Sequence, residues 1–288
     1  MELKEIYLNK KSNKPVISYE VFPPKDDADG QKLEQLFVEL KKLLKFKPSL
    51  ISVTYGAGGS NQTESIEIIK RIKSELNTTP MPHFTCVSTS EKNIKTYLKT
   101  LEQLGIENIL ALRGDIPQNQ EICHDFKYAS QLVECIKSES RLSVAVAGYP
   151  EGHKEAESLE KDIHYLKQKV DKGADVIYTQ LFFNNRHYFD FAEKCQKFGI
   201  TAPIIPGILP VTNFKTLEKM TSLCKVDIPK ELYDKLNAHS EDKEYIKNTG
   251  IEYATKQCQE LIDAGVDGLH FYTLNKEYAT GKILSNLL

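Results

Sequence analysis

The strongest constraint on this chain is a phrase that it repeats. Leu104-Gly105-Ile106, Lys172-Gly173-Ala174-Asp175, Phe198-Gly199-Ile200 and Ala264-Gly265-Val266-Asp267 each end a stretch of helical spacing and lead into a short apolar run. A glycine just past a helix end takes the left-handed backbone that other residues resist, so the phrase reads as helix stop, strand start. The runs 16–22, 50–54, 83–87, 109–112, 142–147, 175–180, 203–207 and 268–272 read as strands. Helical spacing fills the intervals, over 27–45, 63–76, 91–104, 125–137, 155–172, 186–198, 214–224, 241–264 and 276–287, with an inserted helix around 229–240. Eight strand–helix units at this spacing predict an α/β fold, a (β/α)8 TIM-type barrel in a single domain over 1–288. An open doubly wound sheet is the alternative.

Composition narrows the function classes. A net charge of −2 gives no general attraction for nucleic acid or an anionic membrane. No apolar run is long enough to span a bilayer, and residues 1–14 lack the apolar core of a secretion signal. The six cysteines, at 86, 123, 135, 195, 224 and 258, form no Cys-x-x-Cys pair. Reduced thiols and a cytoplasmic location are the simplest expectation. No zinc-ligand spacing, other metal cluster or Ser-His-Asp arrangement is legible.

In parallel α/β folds ligands bind at the C-terminal edge of the strands. The run 109–112 stops abruptly in Arg113, Gly114 and Asp115, with Pro117 blocking further pairing. Other strand ends offer Glu20, Thr54, Tyr149 with His153, Gln180 and Tyr272. Glu20 lies between apolar neighbours, where a carboxyl's pKa rises and a general-acid role becomes available; a structural ion pair is the bland alternative. The loop Tyr55-Gly-Ala-Gly-Gly-Ser60 fits neither the dinucleotide fingerprint nor a Walker loop. It reads equally as a ligand-approach loop or a flexible turn. His83 stands near the start of its expected strand, the place of a core histidine. Asp162 and Lys169 share a helix face after two turns, and on spacing alone that face reads as solvated.

Taken together, Ser18-Tyr-Glu-Val-Phe-Pro-Pro24, Val53-Thr-Tyr-Gly-Ala57, His83-Phe-Thr-Cys86, Ala111-Leu-Arg-Gly-Asp115 and Ala147-Gly-Tyr-Pro-Glu-Gly-His153 resemble the methylenetetrahydrofolate reductase family. Thr179-Gln180, Pro206-Gly-Ile-Leu-Pro210 and His270-Phe-Tyr-Thr-Leu-Asn275 continue the resemblance in the family's order. It implies a FAD-containing barrel in which NADH or NADPH reduces the flavin and 5,10-methylenetetrahydrofolate is then reduced to 5-methyltetrahydrofolate, a ping-pong sequence serving one-carbon metabolism and methionine synthesis. It makes Glu20 the general acid that opens the imidazolidine ring to a 5-iminium cation. It makes Asp115 a buried carboxylate near flavin and pterin. FAD contacts carry over onto Tyr55, Ala57, His83, Arg113, Gly114, Asp115, Tyr128, Ala129, Tyr149, His153, Asp162 and Lys169, which replaces the solvated reading of the last two. Nicotinamide contacts fall on Thr54 and Gln180, and folate contacts on Asp115, Gln180, Thr216, Tyr272 and Lys276.

Some positions depart from the family pattern. Lys276 stands where relatives often carry Arg, Thr216 where one carries Gln, Met220 where one carries Phe, and Gln168 where some carry a second basic residue. No metal is implied, no adenosylmethionine-binding regulatory domain is expected, and a homo-oligomer is. Two other readings stay open: a different flavin barrel, such as one resembling proline dehydrogenase, and a non-catalytic or partner-dependent subunit.

Overall fold

The computed structural model describes residues 1–8, 14–25, 27, 29–55, 62–87, 89–115 and 125–288. Eight strands run β1 Val16–Val21, β2 Leu50–Val53, β3 Thr79–Thr85, β4 Asn108–Leu112, β5 Ser143–Gly148, β6 Val176–Leu181, β7 Ile204–Ile208 and β8 Gly268–Tyr272. Each pairs in parallel with the next in sequence, and β8 pairs with β1, so the sheet closes into a barrel without edges. The expected architecture stands, and the open-sheet alternative falls. Around the barrel lie α1 Leu3–Tyr7, α2 Gln31–Leu43, α3 Gln62–Glu75, α4 Glu91–Gln103, α5 Ala129–Glu139, α6 Leu159–Asp171, α7 Asn185–Lys197, α8 Phe214–Cys224, α9 Lys230–Ala238, α10 Lys243–Asp263 and α11 Tyr278–Leu287. Among the described residues no helix is long and apolar enough to cross a membrane.

Local chemistry sets the helix starts, and it moves three of them by four residues: α5 begins at Ala129 rather than at 125, and Gln131 Oε1 accepts from Lys127 N and Tyr128 N. The carboxylate of Asp27 accepts from the backbone N–H groups of Lys32 and Leu33, so α2 begins four residues later than periodicity suggested. Ser158 caps α6 by accepting from Lys161 N, which leaves 155–157 in the loop. The glycines of the repeated phrase sit at positive φ as expected: Gly105 at 61°, Gly173 at 109°, Gly199 at 72° and Gly265 at 81°.

Two expectations need correction. The third strand is not 83–87 but Thr79–Thr85, and it carries Pro80 and Pro82. Proline removes a ladder donor, so the prolines read as a boundary; the barrel tolerates them. His83 therefore lies in the C-terminal half of its strand, toward the ligand edge. The second miss is α1, a single turn inside what reads as a polar leader. Five residues are too few for a helical period to show.

Strand alternation sends every second side chain inward. The interior base is apolar: Val16, Leu50, Met81, Leu110, Ala145, Val176 and Ile205 pack together with Tyr178 and the buried face of α1. The opposite faces of the strands meet the helices in one large cluster, which includes Tyr19, Ile51, Phe84, Ile109, Val146, Ile177 and Phe271. A third cluster joins α8, α9 and the start of α10 through Phe214, Leu217, Leu232, Leu236 and Ile246. The inserted helix is thus packed beside the barrel rim.

Candidate active site

Moving up each strand from the apolar base, the inward residues turn polar. Val16 gives way to Ser18 and Glu20, Leu50 to Ser52, Met81 to His83 and Thr85, and Tyr178 to Gln180. Registration sets Glu20 level with Ser52 on one side and Tyr272 on the other, and Ser18 level with His270. The barrel mouth therefore holds a ring of polar groups contributed by distant parts of the chain.

Glu20 is the centre of that ring. Its Oε2 lies 3.6 Å from His83 Nε2 and 3.9 Å from His270 Nε2. Burial drives the His83 pKa down to about 4, against the pull of Glu20 and with some help from His270. His83 is then neutral at physiological pH and presents no full positive charge to the carboxyl. Its Nε2 has no hydrogen-bond partner, nor do Ser52 Oγ and Thr85 Oγ1 nearby. His270 Nδ1 is held 2.9 Å from Ser18 Oγ, which fixes the ring with Nε2 toward Glu20. Tyr272 donates to the Thr179 carbonyl at 2.6 Å. That contact passes over Gly207, where a Cβ would stand 2.4 Å from Thr179 O and 2.7 Å from the Tyr272 ring. Only glycine permits this close approach.

Beside the mouth, between β4 and β5 and the helices that follow them, lies a cavity of about 480 Å³. Arg113, Tyr128, Ala129, Tyr149, His153, Asp162 and Lys169 line it. Lys169, on α6, points back to the barrel and donates to the Ala147 carbonyl at 2.6 Å. Burial lowers its pKa to about 8, and Asp162 offsets only part of that. Asp162 is itself raised by burial, with Lys169 opposing, and accepts from His153 N at 3.2 Å. His153 Nδ1 accepts from Glu155 N, which leaves Nε2 to donate, and its ring meets Tyr149 edge-on at 4.7 Å. Burial and the nearby Arg113 hold His153 below its usual pKa. Arg113 grips Glu155 in a two-pronged ion pair, at 2.6 and 2.8 Å. The cavity thus sets two cations, each beside a carboxylate, among aromatic and small side chains, and an anionic, planar ligand could take over either carboxylate's place.

The remaining expected site residues lie elsewhere. Tyr55, His83, Gly114 and Asp115 do not line this cavity. Tyr55 stacks on the outer face of β3, 5.0 Å from Phe84 and 5.7 Å from Tyr97. Gly114 has a φ of 85°, with Thr85 3.0 Å from where a Cβ would stand. Thr54 follows β2 and Gln180 lies near the C-terminal end of β6, where its Oε1 accepts from Leu181 N at 2.9 Å. Thr216 sits in the first turn of α8, its N–H bonded to the capping Asn213. Lys276 follows β8 and is exposed. Ala57 lies outside the described residues.

Asp115 is a correction. A buried carboxylate was expected; the side chain is instead 79 % exposed and paired with Lys154 Nζ at 3.0 Å. Its strand has ended three residues earlier, so the backbone no longer aims it inward. Sequence reasoning also missed His270 as a neighbour of Glu20, and Lys154 and Glu155 as partners of the β4 loop. His270 stood inside a recognised motif but in mid-strand. The Lys-Glu dipeptide carries no signal of its own.

A closed parallel barrel with polar groups and a cavity lined by charged and aromatic side chains at its strand C-termini defines a small-molecule-binding (β/α)8 protein. The methylenetetrahydrofolate reductase family model matches residues 6–288, and the chain belongs to that family. It is 41 % identical over 259 residues to 5,10-methylenetetrahydrofolate reductase of Buchnera aphidicola, covering 90 % of this chain and 87 % of that protein. It is 38 % identical over 285 residues to Arabidopsis thaliana methylenetetrahydrofolate reductase (NADH) 1, covering 94 % of this chain but 48 % of that one. The chain spans about half the length of such plant relatives. A solved Clostridium thermocellum protein, described as binding two copies of 5-methyl-5,6,7,8-tetrahydrofolic acid, superposes with a TM-score of 0.71 at 14 % identity, over 98 % of this chain and 96 % of that one. At that identity the likeness concerns the fold.

Proposed function

We propose that residues 1–288 form one catalytic domain that reduces 5,10-methylenetetrahydrofolate to 5-methyltetrahydrofolate, with FAD as cofactor and NADH or NADPH as reductant. The observation that carries this reading is the convergence of two arrays at one rim: the Glu20 ring and the cavity that holds Arg113 and Lys169. Family membership points to the same reaction.

The cavity residues suit the cofactor. Lys169 is a buried cation only partly balanced by Asp162. A diphosphate would complete that balance, and the Arg113 guanidinium would join it by releasing Glu155. Ala129 is a small wall beside the exposed Tyr128 ring, leaving room for a flat heterocycle. When bound, FAD supplies the hydride relay between nicotinamide and folate.

Glu20 delivers the proton that lets the folate imidazolidine ring open. The neutral His83 places no formal charge against the carboxyl and can turn its unpartnered Nε2 toward it. The Ser18–His270 pair holds the other flank. Tyr272, locked to the Thr179 carbonyl, and Gln180 form the wall on the β6–β8 side, where folate and nicotinamide would take turns. Asp115, on the exposed rim, is free to swing from Lys154 toward a cationic substrate.

Purified protein is expected to be yellow. Anaerobic NADH should bleach the flavin band and methylenetetrahydrofolate should restore it. A colourless preparation that takes up no FAD when offered it would overturn the reading.

A further inference from the structure

Away from the Glu20 ring, three ligand-bearing side chains meet that no sequence spacing connects. Glu151 lies in the β5–α6 loop, His187 in the first turn of α7, and Asp227 between α8 and α9. Each offers one donor atom, and all three atoms lie within 4.8 Å of one another. No metal cluster is legible in the sequence, because these residues are 36 and 40 positions apart. We propose that Glu151, His187 and Asp227 form a binding site for a divalent transition-metal ion of the zinc class, which ties the β5–α6 loop to α7 and the α8–α9 connection.

Several observations carry this. One imidazole nitrogen and two carboxylate oxygens from separate segments form a three-ligand set that leaves a coordination position open for water. Glu151 is half-ready for it. Its Oε2 already accepts from Asp227 N at 2.8 Å, which pins the two acidic residues side by side. Its Oε1 is buried and has no hydrogen-bond partner. A buried carboxylate oxygen left bare is costly, and a cation relieves that cost directly. Two carboxylates this close repel each other unless a positive charge sits between them. Ligand atoms around zinc stand about 3.5 Å apart. The present trio is within 4.8 Å, and His187 and Asp227 are not fully buried, so their side chains have room to close on an ion.

The placement also gives the ion a consequence. Glu151 is two residues from both Tyr149 and His153, which line the cavity beside the mouth. Metal would hold that loop in place.

The test uses the full chain, stripped with EDTA and kept reduced. Calorimetry with Zn²⁺ is expected to show one ion per chain, with affinity falling about tenfold or more in His187→Gln and in Asp227→Asn. The second change is on an exposed residue and keeps the fold intact. Co²⁺ in place of zinc should give a visible spectrum without the intense near-ultraviolet band of thiolate ligation. No zinc uptake, equal uptake by both variants, or a thiolate band that assigns the ion to cysteine would each overturn the site.

Discussion

At the base of the barrel, buried polar groups bond one another; at the mouth, several have no partner. α1 closes the base. Leu3 N donates to Asn108 Oδ1, and Asn108 Nδ2 to the Met1 carbonyl, each at 2.9 Å. The hydroxyls of Tyr7 and Tyr178 meet at 2.8 Å. Asp175, 5 % exposed, accepts from Ser143 Oγ and Val144 N and pairs with Lys4 and Lys137. At the mouth, Ser52 Oγ, His83 Nε2 and Thr85 Oγ1 are left bare, and Lys169 stays buried with incomplete compensation. A bare buried polar atom costs roughly 1–3 kcal/mol. The base gains stability from its polar groups, while the mouth forgoes it and keeps groups available for a ligand.

The contrast can be broken most sharply at Glu20. Glu20→Gln should leave flavin reduction by NADH intact and slow folate reduction by about a hundredfold to ten-thousandfold, with little change in melting temperature. Equal loss of both half-reactions in stopped-flow absorbance would remove Glu20 from the acid role. At the other end, Tyr7→Ala should cost about 3–5 kcal/mol in urea unfolding while the surviving folded protein keeps its FAD affinity. If affinity falls with stability, base and mouth are not separable.

Lys169→Met should weaken FAD binding and also destabilise the cofactor-free protein, because Asp162 is left buried without its counter-charge and the Ala147 carbonyl loses its donor. A pH series sharpens the point. With a folded pKa of about 8 against an ordinary lysine value of about 10.4, the unfolded chain holds the proton more tightly between those limits. Stability of the apoprotein should therefore gain with rising pH across that window, and the gain should vanish in Lys169→Met. Asp175 gives the smallest effect, at the acid end. Burial pushes its pKa up, but the bonds from Val144, Lys4 and Ser143 and the charge of Lys137 prevail and hold it below the usual carboxylate range. Its contribution is complete above an ordinary aspartate pKa of about 4 and is lost as pH falls through the folded value. Asp175→Asn should flatten that part of the acid-unfolding curve.

Much of this was legible in the residues. The glycine-marked helix ends and the period of the apolar runs are local properties, so the barrel, the α8 limits Phe214–Cys224 and the β8 limits Gly268–Tyr272 could be read directly. Glu20 was legible as a strand-end carboxyl. β3 was misread because Pro80 and Pro82 argue locally against a strand, and only its neighbours β2 and β4 hold it in the sheet. The one-turn α1 exists because it is packed, not because five residues favour a helix.

What the chain determined by itself is the order and period of its strands and helices, and hence which residues reach the C-terminal rim. Only the closed barrel decided which of them meet. It set His83 and His270 against Glu20, turned Lys169 inward from an apparently solvated helix face, sent Asp115 out to Lys154, and gathered Glu151, His187 and Asp227. The physical reason is that burial and charge pairing depend on distances across the barrel, and no local spacing encodes those.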